Sequence, residues 1–286
     1  MQLPSQPLQA LTIDIEDYFQ VAAFENKIQP SDWGKYPIRV DRNTYRILDI
    51  FEQNQAKATF FILGWVAEKF PELIREIHQR GHEVASHGFS HIKATAQTPE
   101  DFLQDVRSTK ALLEDIIGAE VTGYRAPSFS ICAENEWAFA CLQEAGYVYS
   151  SSTYPIKHDH YGTPYWPAEP YLRKEGLWEF PMPILTIKGR QIPIAGGGYF
   201  RLLPYWLSKA LIQRYLQNNT SPYMFYFHPW EIDHEQPRIE GASFKSRFRH
   251  YVNLKRMEHK VARLLQDFEW STVQQVFEQY QSSHKA

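Results

Sequence analysis

Cysteine is scarce in this chain, two residues in 286, which excludes the disulfide framework on which small secreted domains depend. Cys132 and Cys141 stand nine apart, and the pattern around them predicts a single helix that would hold them too far apart to pair. They read as reduced core residues of a cytoplasmic protein. Long apolar runs are also missing. The run Leu11 to Ile15 is too short for a signal segment or a membrane span, and Met1 to Ala10 has no basic or apolar leader character, so no membrane association is expected. Charge of one sign is lacking as well: a formal net charge of −3 provides no global field to attract nucleic acid, and no RNA- or DNA-reading motif occurs. Repeats and low-complexity tracts are absent.

Aromatic residues, by contrast, make up 15% of the chain, with 8 Trp and 17 Tyr. They suit either a large core or a groove that stacks against sugar rings. With 43% hydrophobic content the chain can bury a sizeable core, and its length suits one α/β barrel. The pattern alternates strand and helix. Leu11 to Ile15, Lys57 to Leu63, His82 to Ser86, Val121 to Arg125 and Tyr147 to Ser151 read as strands, with helices predicted over Thr44–Asn54, Gly64–Arg80 (interrupted at Pro71), Thr98–Ile117 and Glu134–Ala145. Such a rhythm favours a parallel sheet or barrel. Tyr154 to Pro170 reads as a substrate-side loop, Gly176 to Pro181 as strand-like, and Ala195 to Arg201 as a flexible turn. A helix from Pro204 to about Gln217, a strand Met224 to Phe227, and one basic amphipathic helix from Phe244 to Phe268 complete the pattern.

Unusual polar residues fall at strand ends, where a β/α architecture gathers its chemistry. Asp14 and Glu16 follow the first strand, His87 and His91 the third, Arg125 the fourth, and His228 the last. Two imidazoles four residues apart suit a borderline metal. One carboxylate would complete a facial triad. Asp14 and Glu16, two apart on extended backbone, point to the same side, so one can bind metal while the other accepts a proton. Each residue also has a structural reading: the acids as helix caps, Arg125 as a buried ion pair, His228 as a packed strand-end histidine.

In motif order, LTIDIED, KATFFILG, GHEVASHGFSH, YRAPSFS and FYFHPWEI resemble the polysaccharide deacetylases of the NodB-homology family, carbohydrate esterase family 4. The forms DIEDYF, GGGYFRLLP and HPWEIDHEQPR are most similar to a subgroup associated with exopolysaccharide gene clusters. The resemblance implies a distorted (β/α) barrel over 11–230, with 231–286 as a helical extension packed on it, all in one domain spanning 1–286. It also implies a divalent metal, zinc by default, held by His87, His91 and Glu16, with Asp17 as the alternative acid. Asp14 would be the base, Arg125 its ion-pair partner, His228 the general acid, and the Ser128 backbone N–H an oxyanion donor. Tyr226 stands where the family has a leucine and would narrow the pocket for the acetyl methyl; Trp166, Tyr161 and Tyr199 would stack against sugar. Ser150 occupies the place of the family's histidine-orienting aspartate, leaving Asp159 or Asp233 to serve His228.

The implied substrate is an N-acetylated oligo- or polysaccharide. Two other readings are a same-fold hydrolase of another C–N bond, such as a cyclic amide or ureide, and a sugar-binding protein without turnover.

Overall fold

The structure is a computed structural model that describes residues 8–157, 162–187 and 189–284. Strand β1 (Gln9–Ile15) is buried along its whole length. Its odd residues Leu11, Ile13 and Ile15 join the core shared with the helices, whereas Thr12, Asp14 and Glu16 occupy the opposite face. A strand covered on both sides belongs in the middle of a parallel sheet. It is flanked by β2 (Thr59–Ile62) on one side and β10 (Met224–Phe227) on the other. From β2 the sheet continues through β3 (Glu83–Ser86), β4 (Gly123–Tyr124), β5 (Tyr149–Ser150) and β7 (Trp178–Glu179), all parallel, and ends on β6 (Tyr171–Leu172), which is antiparallel to β7.

Short β11 (Trp270–Ser271) pairs with the start of β1, and β8 (Ile184–Ile187) with β9 (Arg190–Pro193) forms a separate hairpin. The large sheet curls into a half-barrel with β10 and β6 at its ends. Helices α1 (Val40–Gln53), α2 (Gly64–Lys69), α3 (Pro71–Gln79), α4 (Pro99–Ile117) and α5 (Trp137–Glu144) make the crossovers. They face one side of the sheet, as βαβ crossovers demand. The other side holds a second cluster, including Ala10, Phe61, Ala85, Tyr149 and Met224, and opens at the strand ends.

Local signals explain several boundaries. Thr98 caps α4 by accepting the Asp101 N–H at 3.1 Å, Pro99 opens the helix, and Gly118 closes it at φ 67°. Other expectations need correction. The predicted helix over both cysteines is a 3-10 turn, Ala133–Asn135, followed by α5, so only Cys141 is helical; both thiols are free.

The flexible turn expected at Ala195–Arg201 instead becomes helix α6 (Gly197–Leu202), which is followed by α7 (Tyr205–Asn218). The single basic helix is two, α8 (Phe244–Tyr251) and α9 (Leu254–Asp267), broken where Asn253 adopts φ 53°. Buried Arg201 donates to the carbonyls of Arg249, His250 and Val252, removing them from helical pairing at the break. A last helix, α10 (Val273–His284), packs beneath β1. Among the described residues no helix is long and apolar enough to cross a membrane.

Candidate metal and catalytic site

Four strand ends deliver the site. Asp14 and Glu16 leave β1, His87 follows β3, Arg125 follows β4 and His228 follows β10. His91 arrives on the loop after His87, whose backbone is pinned on two sides: the Gly64 and Trp65 N–H groups at the start of α2 donate to the Gly88 and Phe89 carbonyls, and Phe89 N–H donates to Asp105 of α4. Within that loop His91 itself has φ 52°, a left-handed conformation that costs a non-glycine residue on the order of 1 kcal/mol and is held where function needs it.

Ligand atoms of Glu16, His87 and His91 lie within 4.8 Å of one another. Nδ1 of His87 donates to the Arg125 carbonyl at 2.8 Å, which leaves its Nε2 as the free lone pair. Burial pushes His87 down to about 4, so the imidazole is neutral at pH 7, as a metal ligand must be. Burial would raise the Glu16 carboxyl, but His91 and His228 hold it down to about 2. Glu16 Oε2 lies 2.8 Å from His91 Nε2, yet no donor is aligned on this buried oxygen. An orphaned carboxylate oxygen beside two imidazole nitrogens fits a divalent cation such as zinc.

Asp17 is elsewhere. Its carboxylate accepts the backbone N–H groups of Tyr18, Arg39 and Val40, at 2.8, 2.6 and 2.8 Å, and so caps α1. Burial pushes that carboxyl up to about 6 against the pull of the three donors.

Asp14 Oδ1 accepts from Arg125 Nη1 at 2.6 Å. The guanidinium is fully buried, donates also to Thr12 Oγ1 and the Ser151 carbonyl, and lies over the Phe61 ring at 4.1 Å. A planar fork fixed at so many points holds the carboxylate in one orientation. The second oxygen, Oδ2, points towards His228 Nε2, 3.9 Å away.

His228 is oriented by a residue that the sequence reading did not single out. Its Nδ1 donates to Glu231 Oε1 at 2.8 Å, and its Nε2 lies 3.3 Å from Glu16 Oε1. Glu231 Oε2 in turn accepts from Arg201 Nε at 2.7 Å. Burial acts to lower the His228 pKa, but the Glu16, Glu231 and Asp14 carboxylates outweigh it and hold it up to about 9. Glu231 stays below its ordinary range because Arg201 and His228 offset its burial.

Trp230 stacks between His228 and His250, with ring centroids 5.3 and 4.1 Å away. Gln236 donates to the Trp230 and Asp233 carbonyls, so its Oε1 must accept from His250 Nε2, at 2.6 Å. The glycine run makes room for this arrangement. A Cβ on Gly197 would stand 2.1 Å from Glu231 Oε1, and one on Gly196 would stand 2.7 Å from Tyr226.

Of the two aspartates offered as partners for His228, the described one, Asp233, is not at the ring. Asp233 is ion-paired with Arg39 and Arg42, and Asp159 lies outside the described residues, as does Tyr161. Ser150 instead donates to Ser152 Oγ. Ser128 and Tyr226 line a pocket of about 150 Å³ together with Asp14, Glu16, His87, His91 and His228. Ser128 and Phe129 are consecutive left-handed residues, φ 55° and 50°, which turn the chain sharply beside the site. Tyr199 lines the adjoining cleft. Trp166 does not reach the pocket; it packs against Phe139 and beneath Arg173.

With this geometry in view, residues 32–150 match the family described as polysaccharide deacetylase, and residues 151–278 match a domain of unknown function, DUF3473. These matches make residues 32–150 similar to polysaccharide deacetylases. A Bacillus cereus peptidoglycan-N-acetylglucosamine deacetylase is 33% identical over 100 residues, 35% of this chain and 36% of the relative. A peptidoglycan deacetylase of Helicobacter pylori is 35% identical over 137 residues, 46% of this chain and 41% of the relative. The chain thus spans well under half the length of either. A solved Mycobacterium smegmatis protein ascribed to the polysaccharide deacetylases superposes with a TM-score of 0.63 at 17% identity, covering 99% of this chain and 93% of that one, which shows the fold. The boundary between the two matched regions falls at the end of β5, inside one continuous sheet.

Proposed function

We propose that the protein is a metal-dependent deacetylase that hydrolyses the N-acetyl groups of amino sugars in an oligo- or polysaccharide, with an exopolysaccharide the substrate suggested by its sequence forms. The observation that carries this reading is the convergence, in one pocket, of a Glu16–His87–His91 triad, an arginine-held carboxylate and a carboxylate-held imidazole. A divalent cation on the triad, zinc by ligand chemistry, supplies Lewis acidity that lowers the pKa of water towards about 7 and polarises an amide carbonyl.

Asp14 Oδ2 takes the proton of the attacking water while Arg125 keeps Oδ1 fixed. The Ser128 backbone, at the pocket wall, faces the carbonyl oxygen as negative charge develops there. His228, held through Nδ1, delivers a proton from Nε2 to the departing nitrogen, so that the C–N bond breaks to give acetate and an amine. Amide nitrogen leaves poorly as an anion, and a positioned acid contributes on the order of 100- to 10,000-fold.

Acetate release from N-acetylhexosamine oligomers, measured with metal content, tests the reading. Asp14→Asn is expected to abolish turnover with metal near stoichiometric, and His87→Ala to lose both. Turnover of cyclic amides or ureides in place of acetylated sugars would overturn the substrate, and full activity in Asp14→Asn would remove the base.

A further inference from the structure

Two sets of contacts converge on His228, and both start from the elbow between α8 and α9, residues 249–253. The first runs through Arg201, which is buried on α6. Its Nε donates to Glu231 Oε2 at 2.7 Å, Nη1 to the His250 and Val252 carbonyls at 2.7 and 2.9 Å, and Nη2 to the Arg249 carbonyl at 3.0 Å. A planar fork bonded on both sides fixes the carboxylate relative to the elbow. The elbow holds α6 in return: Asn253 Nδ2 donates to the Arg201 carbonyl at 3.0 Å, and buried Lys260 of α9 donates to the carbonyls of Phe200 and Leu203. These donors satisfy the last carbonyls of a short helix. Glu231 passes the constraint to the edge of the His228 ring through the 2.8 Å contact at Nδ1.

The second set holds the face of the ring. His250 stacks on Trp230, with centroids 4.1 Å and planes 13° apart, and Trp230 stacks on His228 at 5.3 Å and 18°. Rotation of the imidazole breaks one contact or the other. Arg201, Glu231 and His250 stand outside the set of residues that line the pocket. A buried ion pair is weak evidence for stability by itself, because apolar side chains of similar volume avoid its desolvation cost. What this pair provides is a fixed geometry. Resting on the deacetylase reading, we infer that Arg201 and His250 are positioning residues for the acid. The elbow, within residues 151–278 that match the domain of unknown function, sets the His228 ring by edge and by face so that Nε2 meets the departing nitrogen.

An acid is required when an amine departs but not when a nitrophenolate does, since the latter leaves as an anion. Lost positioning should therefore cut amide hydrolysis and spare ester hydrolysis, whereas loss of folded protein or of metal lowers both alike. Arg201→Lys, Arg201→Gln, His250→Ala and His250→Phe are compared with wild type as zinc-loaded full chains. Acetate release from the acetylated N-acetylglucosamine tetramer and hydrolysis of p-nitrophenyl acetate are measured. On the tetramer, kcat is expected to fall about tenfold in Arg201→Lys and His250→Ala and about 100-fold in Arg201→Gln, with KM, zinc content and the ester rate within about twofold of wild type. His250→Phe, which keeps a flat ring on Trp230, should recover most of the His250→Ala loss. If Arg201→Gln does not fold, Arg201→Lys and the two His250 variants carry the comparison. In EDTA-treated protein the His228 Cε1–H proton, assigned by its absence from His228→Gln, should show the upfield ring-current shift of a proton stacked on indole and lose most of it in the Arg201 variants and His250→Ala. Parallel losses on amide and ester, an unchanged amide kcat in folded variants, or a His228 signal that does not move would each overturn the inference. Wild type that releases no acetate from the tetramer would strike the deacetylase reading instead, and the proton shift would still decide whether the elbow sets the ring.

Discussion

At His228 the choice of partner decides how the ring is held. Glu231 follows three residues later in the same strand-end turn, and it accepts both the His228 backbone N–H and Nδ1–H through one oxygen. Arg201 fixes the other oxygen. Glu231→Gln keeps an acceptor for Nδ1 while removing the negative charge that favours the cationic ring, so kcat is expected to fall by about 10- to 100-fold with KM and metal content little changed. A matched loss of metal, or a rise in KM alone, would show that Glu231 acts on binding rather than on the acid.

The residues proposed for metal binding and catalysis were legible in the sequence because Asp14, Glu16, His87, Arg125 and His228 stand at the ends of recognisable strands and His91 follows His87 by four residues. Glu231 was not, because its role depends on Arg201, thirty residues earlier on α6, and on Gly197, whose missing side chain gives the carboxylate its place. One signal was available. GGGYFR and HPWE each pair an unusual motif with one half of the buried Arg201–Glu231 contact, but nothing in either motif alone says that they meet.

Whole elements were legible to different degrees for a physical reason. Met224–Phe227 and the cap at Thr98 declare themselves through local pattern, whereas two-residue strands such as β6 and β11 carry no periodicity and exist only through their neighbours. The break between α8 and α9 is likewise imposed by Arg201 from another part of the chain. The same distinction applies to the acid next to Glu16. Asp17 belongs to an element rather than to the site: it satisfies N–H groups at the start of α1, where Arg39 provides no side-chain cap.

Asp17→Ala is therefore expected to cost about 1–2 kcal/mol in urea unfolding, through loss of that cap, and to leave metal stoichiometry intact. Glu16→Gln should do the reverse, releasing the metal with little change in the start of α1. Metal lost in Asp17→Ala with unchanged stability would make Asp17 the ligand.

On the scale of the molecule, the two matched regions share one fold. β1 from the first half is paired residue for residue with β10 from the second, Ala10 to Ile13 against Met224 to Phe227, and β11 pairs with its start. The helical core mixes both halves, with Ile47, Phe51 and Phe60 in the same cluster as Phe227, Met257 and Val261. The proposed site is divided in the same way: Glu16, His87, His91 and Asp14 come before residue 150, while His228, Glu231 and Arg201 come after it. A chain ending at residue 150 would expose the edge of its central strand and one wall of its core, a surface that invites aggregation.

Residues 8–150 expressed alone are thus expected to show no cooperative melting transition and no dispersed amide spectrum, whereas the full chain should unfold in a single calorimetric transition whose van't Hoff and calorimetric enthalpies agree. Two resolved transitions, or a folded fragment that binds zinc, would mean that the halves are independent units brought together late. A single transition would mean that the half bearing His228 cannot be gained or lost without the sheet that carries Glu16, His87 and His91.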